Sequence, residues 1–124
     1  MTTTTCWNWS ARVLIASGLA LLPWILVLAR VAGAYPVAWI GLDTMEAMGL
    51  VGTGLLLARR DRRRLAVAPA TAALLTVDAW FDVLTAGPEV LVALLMAVCL
   101  ELPLAALCTA VAWNALRALP PRSQ

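Results

Sequence analysis

The sequence contains neither histidine nor lysine, and only 13% of its 124 residues are charged. Without histidine, the chain has no imidazole metal ligand, no histidine-dependent acid–base pair and no axial histidine for haem. It also lacks a nucleophile–base pair, a Cys-x-x-Cys pair and a glycine-rich phosphate loop, which argues against hydrolase, redox and nucleotide-dependent functions. We therefore predict that the protein carries no cofactor.

Cysteine is also scarce, with three residues and no spacing typical of a metal site. Cys99 and Cys108 lie nine positions apart in one apolar segment. On a helix this spacing separates them by roughly 13 Å, which exceeds the reach of a disulfide. We expect reduced thiols that pack among apolar side chains.

What the sequence has in abundance is apolar side chains, which make up 63% of the chain at a mean hydropathy of +0.89. A soluble domain has about 25% charged residues, so solvation by lipid explains this composition more simply. Runs of about 20 apolar residues, the length that crosses a bilayer as a helix, occur at 13–31, 37–58, 65–86 and 90–112. We predict an all-α integral membrane four-helix bundle whose short loops make successive helices antiparallel, up-down-up-down.

The placement of the arginines predicts the orientation of these spans. Five arginines lie within 59–64, between the second and third spans, and three more lie near the chain ends, at Arg12, Arg117 and Arg122. The positive-inside rule then places both termini and this loop in the cytoplasm, in a multi-pass protein of the plasma (inner) membrane. The predicted organisation is a cytoplasmic segment 1–12, a single transmembrane domain 13–118 and a cytoplasmic tail 119–124.

The arginine-rich loop, Arg59–Arg64, is also expected to contact lipid. Each basic residue near an anionic surface contributes about 1 kcal/mol to binding, so anionic lipid headgroups are the predicted partner. One short loop of this kind does not predict nucleic-acid binding.

The first span has an alternative interpretation. The sequence VAGA, which ends at Ala34, resembles a small-residue cleavage site, so residues 1–34 could form a signal peptide. The apolar run is longer than the usual core of a signal peptide, and the segment before it has no early positive charge. We favour an uncleaved first span, and cleavage would leave the orientation of the others unchanged.

Acidic side chains interrupt three of the four spans. The stretch TVDAWFDVL places Asp78 and Asp82 four positions apart, and Asp43 and Glu46 are three apart in the second span, so each pair shares a helix face. Glu101 lies in the fourth span. The face of the second span continues into the small-residue run GLVGTG, and small residues allow close helix approach in membranes. We therefore expect these acids to be buried inside the bundle.

The depth of each acid along its span indicates which acids are neighbours in the bundle. Asp78 lies about 20 Å and Asp82 about 26 Å above the cytoplasmic end of the third span. Asp43, Glu46 and Glu101 lie about 9, 14 and 16 Å below the outer ends of their spans. In an apolar core about 30 Å thick, Asp43 is level with Asp78, and Glu46 is level with Glu101. We predict that these carboxylates form one site that binds a ligand, protons or a cation.

Acids at this depth need to be neutralised, because an ionised carboxylate at the bilayer centre costs about 2.5–3.5 kcal/mol on insertion scales. Protonation, a bound cation and a water-filled cavity are the alternatives, and Arg30 is the only nearby counter-ion candidate. Trp24 and Trp80 fall in the outer half of the spans and are candidates for an aromatic lining that makes cation–π contacts. A purely structural alternative is that protonated acids hydrogen-bond between helices.

These residues favour a cation-binding or proton-coupled transport function. Ligation by carboxylates alone suits hard metal ions such as Mg²⁺, Mn²⁺ or Ca²⁺, although the residues leave open whether the site holds a metal. Small multidrug-resistance transporters resemble this chain in size and span count and work as dimers, which keeps a homodimer open. Their membrane glutamate lies in the first span, which has no acid here, so the resemblance transfers no residues.

Two other classes of function stay open. An intramembrane enzyme acting on a lipid or isoprenoid would use a protonated acid as a proton donor, while Trp24 or Trp80 stabilises a carbocation. A noncatalytic assembly subunit would use the acids and GLVGTG as contact faces. The strings DAWFDV (Asp78–Val83) and ELPLA (Glu101–Ala105) resemble uncharacterised small four-span membrane proteins of actinobacteria, a resemblance that implies no activity.

Overall fold

The computed structural model of the chain describes residues 2–31 and 36–121, which are helical almost throughout. Three continuous helices come first: α1 (Thr2–Val31), α2 (Pro36–Ala58) and α3 (Arg64–Thr85). The fourth helical segment is interrupted and consists of a 3-10 turn (Gly87–Glu89), α4 (Val90–Met96), a π-helical turn (Ala97–Glu101) and α5 (Leu102–Arg117). The predicted all-α four-helix bundle is confirmed at this level.

Four stretches are long and apolar enough to cross a membrane: Asn8–Arg30, Val37–Ala58, Arg64–Thr85 and Gly87–Arg117. The first helix begins well before residue 13, and the last continues past residue 112 until Pro120 and Pro121 follow it. Hydropathy marks only the apolar part of a helix, whereas the helix itself continues until its hydrogen bonds are interrupted, as they are by proline. Ala34 of the cleavage alternative and Arg122 lie outside the described residues.

The turn between α2 and α3 is built from the arginine-rich loop. Arg60 has a positive φ of 55°, and the backbone N–H groups of Arg60 and Asp61 donate to the carbonyls of Leu57 and Leu56. This pair of bonds is the Schellman arrangement that closes a helix C-terminus. The Asp61 carboxylate then accepts a hydrogen bond of 2.8 Å from the backbone N–H of Arg63. The loop therefore ends one helix and begins the next within a few residues.

Close contact between α1 and α2 depends on glycine. A Cβ atom on Gly54 would lie 2.8 Å from the Ala11 carbonyl oxygen, and one on Gly18 would lie 2.8 Å from the Ala47 carbonyl oxygen. Neither backbone oxygen can move without displacing its helix, so only glycine fits at these two positions. The glycines bring α1 and α2 together as small residues do between membrane helices.

The contact between α2 and α3 has a polar centre. Thr53 and Thr71 are both buried, and their hydroxyl oxygens lie 3.3 Å apart. Because the Thr71 hydroxyl donates to the Val67 carbonyl at 2.9 Å, Thr53 is the donor in the bond between the two threonines. This hydrogen bond joins α2 to α3 on the same side of α2 as Glu46, which lies seven residues earlier.

The interior of the bundle consists of leucine and small residues, and its outside is apolar as well. Leu14, Leu50, Leu57 and Leu75 are fully buried at the centre. Large aliphatic side chains such as those of Leu26, Met48 and Leu91 are exposed, and α4 contributes no buried side chain. An apolar exterior of this extent is typical of a surface that contacts lipid or another protein.

We expect Gly54→Ala to destabilise the fold, because the added methyl group meets the Ala11 carbonyl and the Ile15 side chain. Overpacking of this kind costs about 1–3 kcal/mol. Gly41→Ala, on the same helix, is the matched control, because a Cβ there meets nothing within 4 Å. Thermal unfolding in detergent should show a lower Tm for Gly54→Ala than for Gly41→Ala. Equal Tm values would contradict the close approach of α1 and α2.

Candidate functional site

Three helical segments direct acidic side chains into one region of the bundle. Asp43 and Glu46 are 7% and 2% exposed on α2, and Asp78 is 5% exposed on α3. Asp82, one turn after Asp78, and Glu101, at the end of the π-helical turn, are half-buried. The three acids at less than one tenth exposure are unusual, since aspartate and glutamate are almost never fully buried without a partner.

The five carboxylates form two groups that overlap. Oxygen atoms of Asp43, Glu46 and Asp78, here called the buried triad, all lie within 4.8 Å of one another. Oxygen atoms of Asp78, Asp82 and Glu101, here called the peripheral triad, meet the same limit. Asp78 belongs to both triads. The five acids that lie at similar depths along the spans are thus close together in the structure. Asp78 connects the two triads.

The oxygens of these carboxylates are short of partners. Glu46 Oε1, Asp78 Oδ1 and Glu101 Oε2 are buried and have no hydrogen-bond partner within the described residues. Leaving a buried polar atom unsatisfied costs about 1–3 kcal/mol, and more when the group is charged. The polar alternative requires protonated acids that hydrogen-bond to a neighbouring helix, and these three oxygens make no such bond within that same part of the chain.

Arg30, the predicted counter-ion, forms no ion pair with the acids among the described residues. Its side chain is exposed, near the end of α1. α1 contributes to the bundle mainly through its contact with α2, and the role of Arg30 as a counter-ion stays a prediction.

The two tryptophans predicted to line the site are largely exposed. Trp24 is 52% exposed and Trp80 is 67% exposed, so both rings project from the bundle surface. Trp80 follows Asp78 by two residues, and two residues on an α-helix turn the side chain by about 200°. When Asp78 points inward, Trp80 therefore points outward. Trp80 thus faces away from Asp78, and an aromatic lining of the site stays a prediction.

The π-helical turn at Ala97–Glu101 was not predicted, although its cause is visible in the sequence. Pro103 has no backbone N–H and cannot donate to the carbonyl four residues earlier, so the regular α-helical ladder is interrupted at this point. A π-helical turn accommodates such a break and is frequent at functional sites. It also sets the direction of Glu101, its last residue, and it packs against α3, which carries Asp78 and Asp82.

No protein-family model, curated protein or solved structure matches this chain. The resemblance to small four-span actinobacterial proteins therefore stays a prediction, and the chemistry of the site has to be argued from its own residues. Carboxylate oxygens alone bind hard cations or protons, because they act as acceptors and carry negative charge. Within the described residues, neither histidine nor cysteine belongs to either triad.

We expect Glu46→Gln to raise the thermal stability of the ion-free protein, because the substitution removes a buried carboxylate whose Oε1 has no partner. Relief of an unsatisfied buried group amounts to about 1–3 kcal/mol, and to more when the group is charged. Glu89→Gln is the matched control, since Glu89 is exposed in the 3-10 turn. Tm should be measured in detergent with a chelator at mildly alkaline pH. A lower Tm for Glu46→Gln than for Glu89→Gln would indicate that Glu46 holds helices together by hydrogen bonds.

Proposed function

We propose that this chain is a multi-pass membrane protein that binds a cation at its five carboxylates and exchanges the cation with protons, as in proton-coupled transport. The observation that carries the proposal is the convergence of buried carboxylate oxygens without hydrogen-bond partners in the described part of the chain. A cation would supply the positive charge that no described side chain brings to this cluster. Protons would compete for the same oxygens, because a metal or organic cation requires carboxylates in the ionised form.

The proposed topology has four antiparallel helices across the plasma membrane, with both termini and Arg59–Arg64 in the cytoplasm. It is supported by the apolar exterior of the bundle and by the concentration of arginines in a single loop. The arginines at 59, 60, 62 and 63 are exposed. In this orientation they would lie at the level of anionic lipid headgroups.

The other classes of function have less support. An isoprenoid enzyme would need aromatic rings beside its proton donor to stabilise a carbocation, and the two tryptophans considered for that role are exposed on the surface. An assembly subunit that used the acids as interhelical contacts would pair them by hydrogen bonds, whereas Glu46 Oε1, Asp78 Oδ1 and Glu101 Oε2 have no partner within the described residues. Unpaired oxygens favour a site that holds a ligand.

We expect cation binding to release protons and to weaken as the pH falls, since protons and the cation occupy the same oxygens. Purified protein in lipid nanodiscs would be titrated with Na⁺, K⁺, Mn²⁺ and tetraphenylphosphonium in weakly buffered solution, and released protons measured with an indicator dye. Asp78→Asn should abolish the release, because Asp78 belongs to both triads. Glu89→Gln should leave it unchanged. If no cation releases protons from the wild-type protein, the proposed function is wrong.

We expect Arg62→Cys, in a background with Cys6, Cys99 and Cys108 replaced by serine, to be labelled only from the cytoplasmic side. Arg62 is exposed in the loop, and this substitution leaves the hydrogen bond between Asp61 and Arg63 in place. A membrane-impermeant maleimide would be applied to intact cells and to inverted vesicles. Labelling in intact cells would contradict the proposed orientation.

A further inference from the structure

We infer that the cation is a divalent, oxygen-seeking metal ion of the Mg²⁺, Mn²⁺ or Ca²⁺ class. We further infer that it has two alternative positions, one in each triad, with Asp78 as a ligand in both. This inference rests on the proposed function and adds the chemical class of the ion and its route.

The size of each triad fits a single bare ion. Three oxygens no more than 4.8 Å apart have a common point no farther from each than 4.8 Å divided by √3, about 2.8 Å, close to the 2.3–2.6 Å of calcium–oxygen bonds. A contraction of a few tenths of an ångström would bring all three into coordination with Ca²⁺, and about 0.7 Å would do so for Mg²⁺, whose bonds are 2.0–2.1 Å. An organic cation carries substituents that do not fit between oxygens at this spacing.

The donor set and the surroundings favour a hard divalent ion. Every donor is a carboxylate oxygen, which is the ligand type that Mg²⁺, Mn²⁺ and Ca²⁺ prefer. No tryptophan cage is available for a quaternary ammonium ion, because the rings of Trp24 and Trp80 project outward. Three carboxylates carry up to three negative charges, and a divalent ion neutralises two of them, whereas a monovalent ion neutralises one. In an interior of low dielectric constant, one uncompensated charge more or less changes the electrostatic free energy greatly.

Unpaired oxygens are present in both triads. Glu46 Oε1 lies in the buried triad, Glu101 Oε2 in the peripheral triad, and Asp78 Oδ1 in the residue that they share; none has a partner in the described part of the chain. Glu46 and Asp78 are at least nine-tenths buried, so water does not readily serve these oxygens. Each triad therefore contains a buried oxygen that has no hydrogen-bond partner and can coordinate an ion.

The two triads differ in burial, and this difference sets the order in which an ion would reach them. Asp82 and Glu101 are half-buried, whereas Asp43 and Glu46 are buried. An ion arriving from outside the bundle would meet the peripheral triad first and then move to the buried triad while Asp78 stays bound. Asp78 and Asp82 are one turn apart, a rise of about 6 Å along α3, which limits the length of the step. A shared ligand lowers the barrier, because the ion is never without a carboxylate.

The inference predicts different effects for the two triads. Mn²⁺ binding would be followed at equilibrium by electron paramagnetic resonance and in time by stopped-flow competition with a metal indicator, on nanodisc-embedded protein whose Tm is checked. We expect Glu46→Gln to weaken Mn²⁺ affinity by roughly tenfold or more, since even supporting residues of metal sites contribute 10–100-fold. Glu101→Gln should mainly slow Mn²⁺ association, Asp78→Asn should abolish binding, and Glu89→Gln should match the wild type.

Three results would overturn this inference. Two simultaneously bound, spin-coupled Mn²⁺ ions per chain would exclude alternative positions for one ion. Identical effects of Glu46→Gln and Glu101→Gln on both affinity and association rate would contradict the proposed order in which the ion reaches the two triads. Absence of Mn²⁺ binding, with proton release by Na⁺, K⁺ or tetraphenylphosphonium intact, would refute the divalent ion and leave the proposed cation-binding function standing.

Discussion

The unfavourable free energy of burying carboxylates without partners is the constraint on which the rest of this bundle depends. Glu46 and Asp78 lie in its interior with unpaired oxygens, and within the described residues no basic side chain reaches them. Other contacts must hold the helices together against the repulsion between these groups. Packing around Leu14, Leu50 and Leu57 does so, at a short distance along α2 from the acids. The protein thus keeps an unfavourable site in place by means of a favourable core next to it.

The two sides of the site differ in how firmly they are held. Asp43 and Glu46 project from α2, which contacts α1 through glycine and α3 through the Thr53–Thr71 hydrogen bond. Glu101 instead ends a π-helical turn that follows α4, a helix without buried side chains. The well-packed half carries the most buried carboxylates and the less packed half carries a half-buried one, an arrangement that suits the proposed entry and exit of an ion. Precise ligand placement requires rigid support, whereas access requires a part that can adjust.

Hydropathy predicted the helical segments, and depth along the spans predicted that the acids lie close together. Both depend only on position along the helix axis. The rotation of each helix was not predictable in the same way. Trp80 is an exception, because it follows Asp78 by two residues and the resulting turn of about 200° places it on the opposite face. Trp24 lies in an apolar helix without acids and carries no such signal, since lipid and a protein core accept the same side chains. The π-helical turn also escaped prediction, although Pro103, two residues after Glu101, was the signal that could have located it.

The π-helical turn has a consequence for how this site could change over evolutionary time. Such a turn holds one residue more than an α-helical turn, so it absorbs a single inserted residue within one wide turn. Loss of one residue between Ala97 and Glu101 would therefore leave the faces of α4 and α5 on either side aligned as before. The face of α5 that buries Cys108 and Val111 would stay packed. A single codon gained or lost here would change the direction of Glu101 relative to the cluster while the helices on either side kept their places.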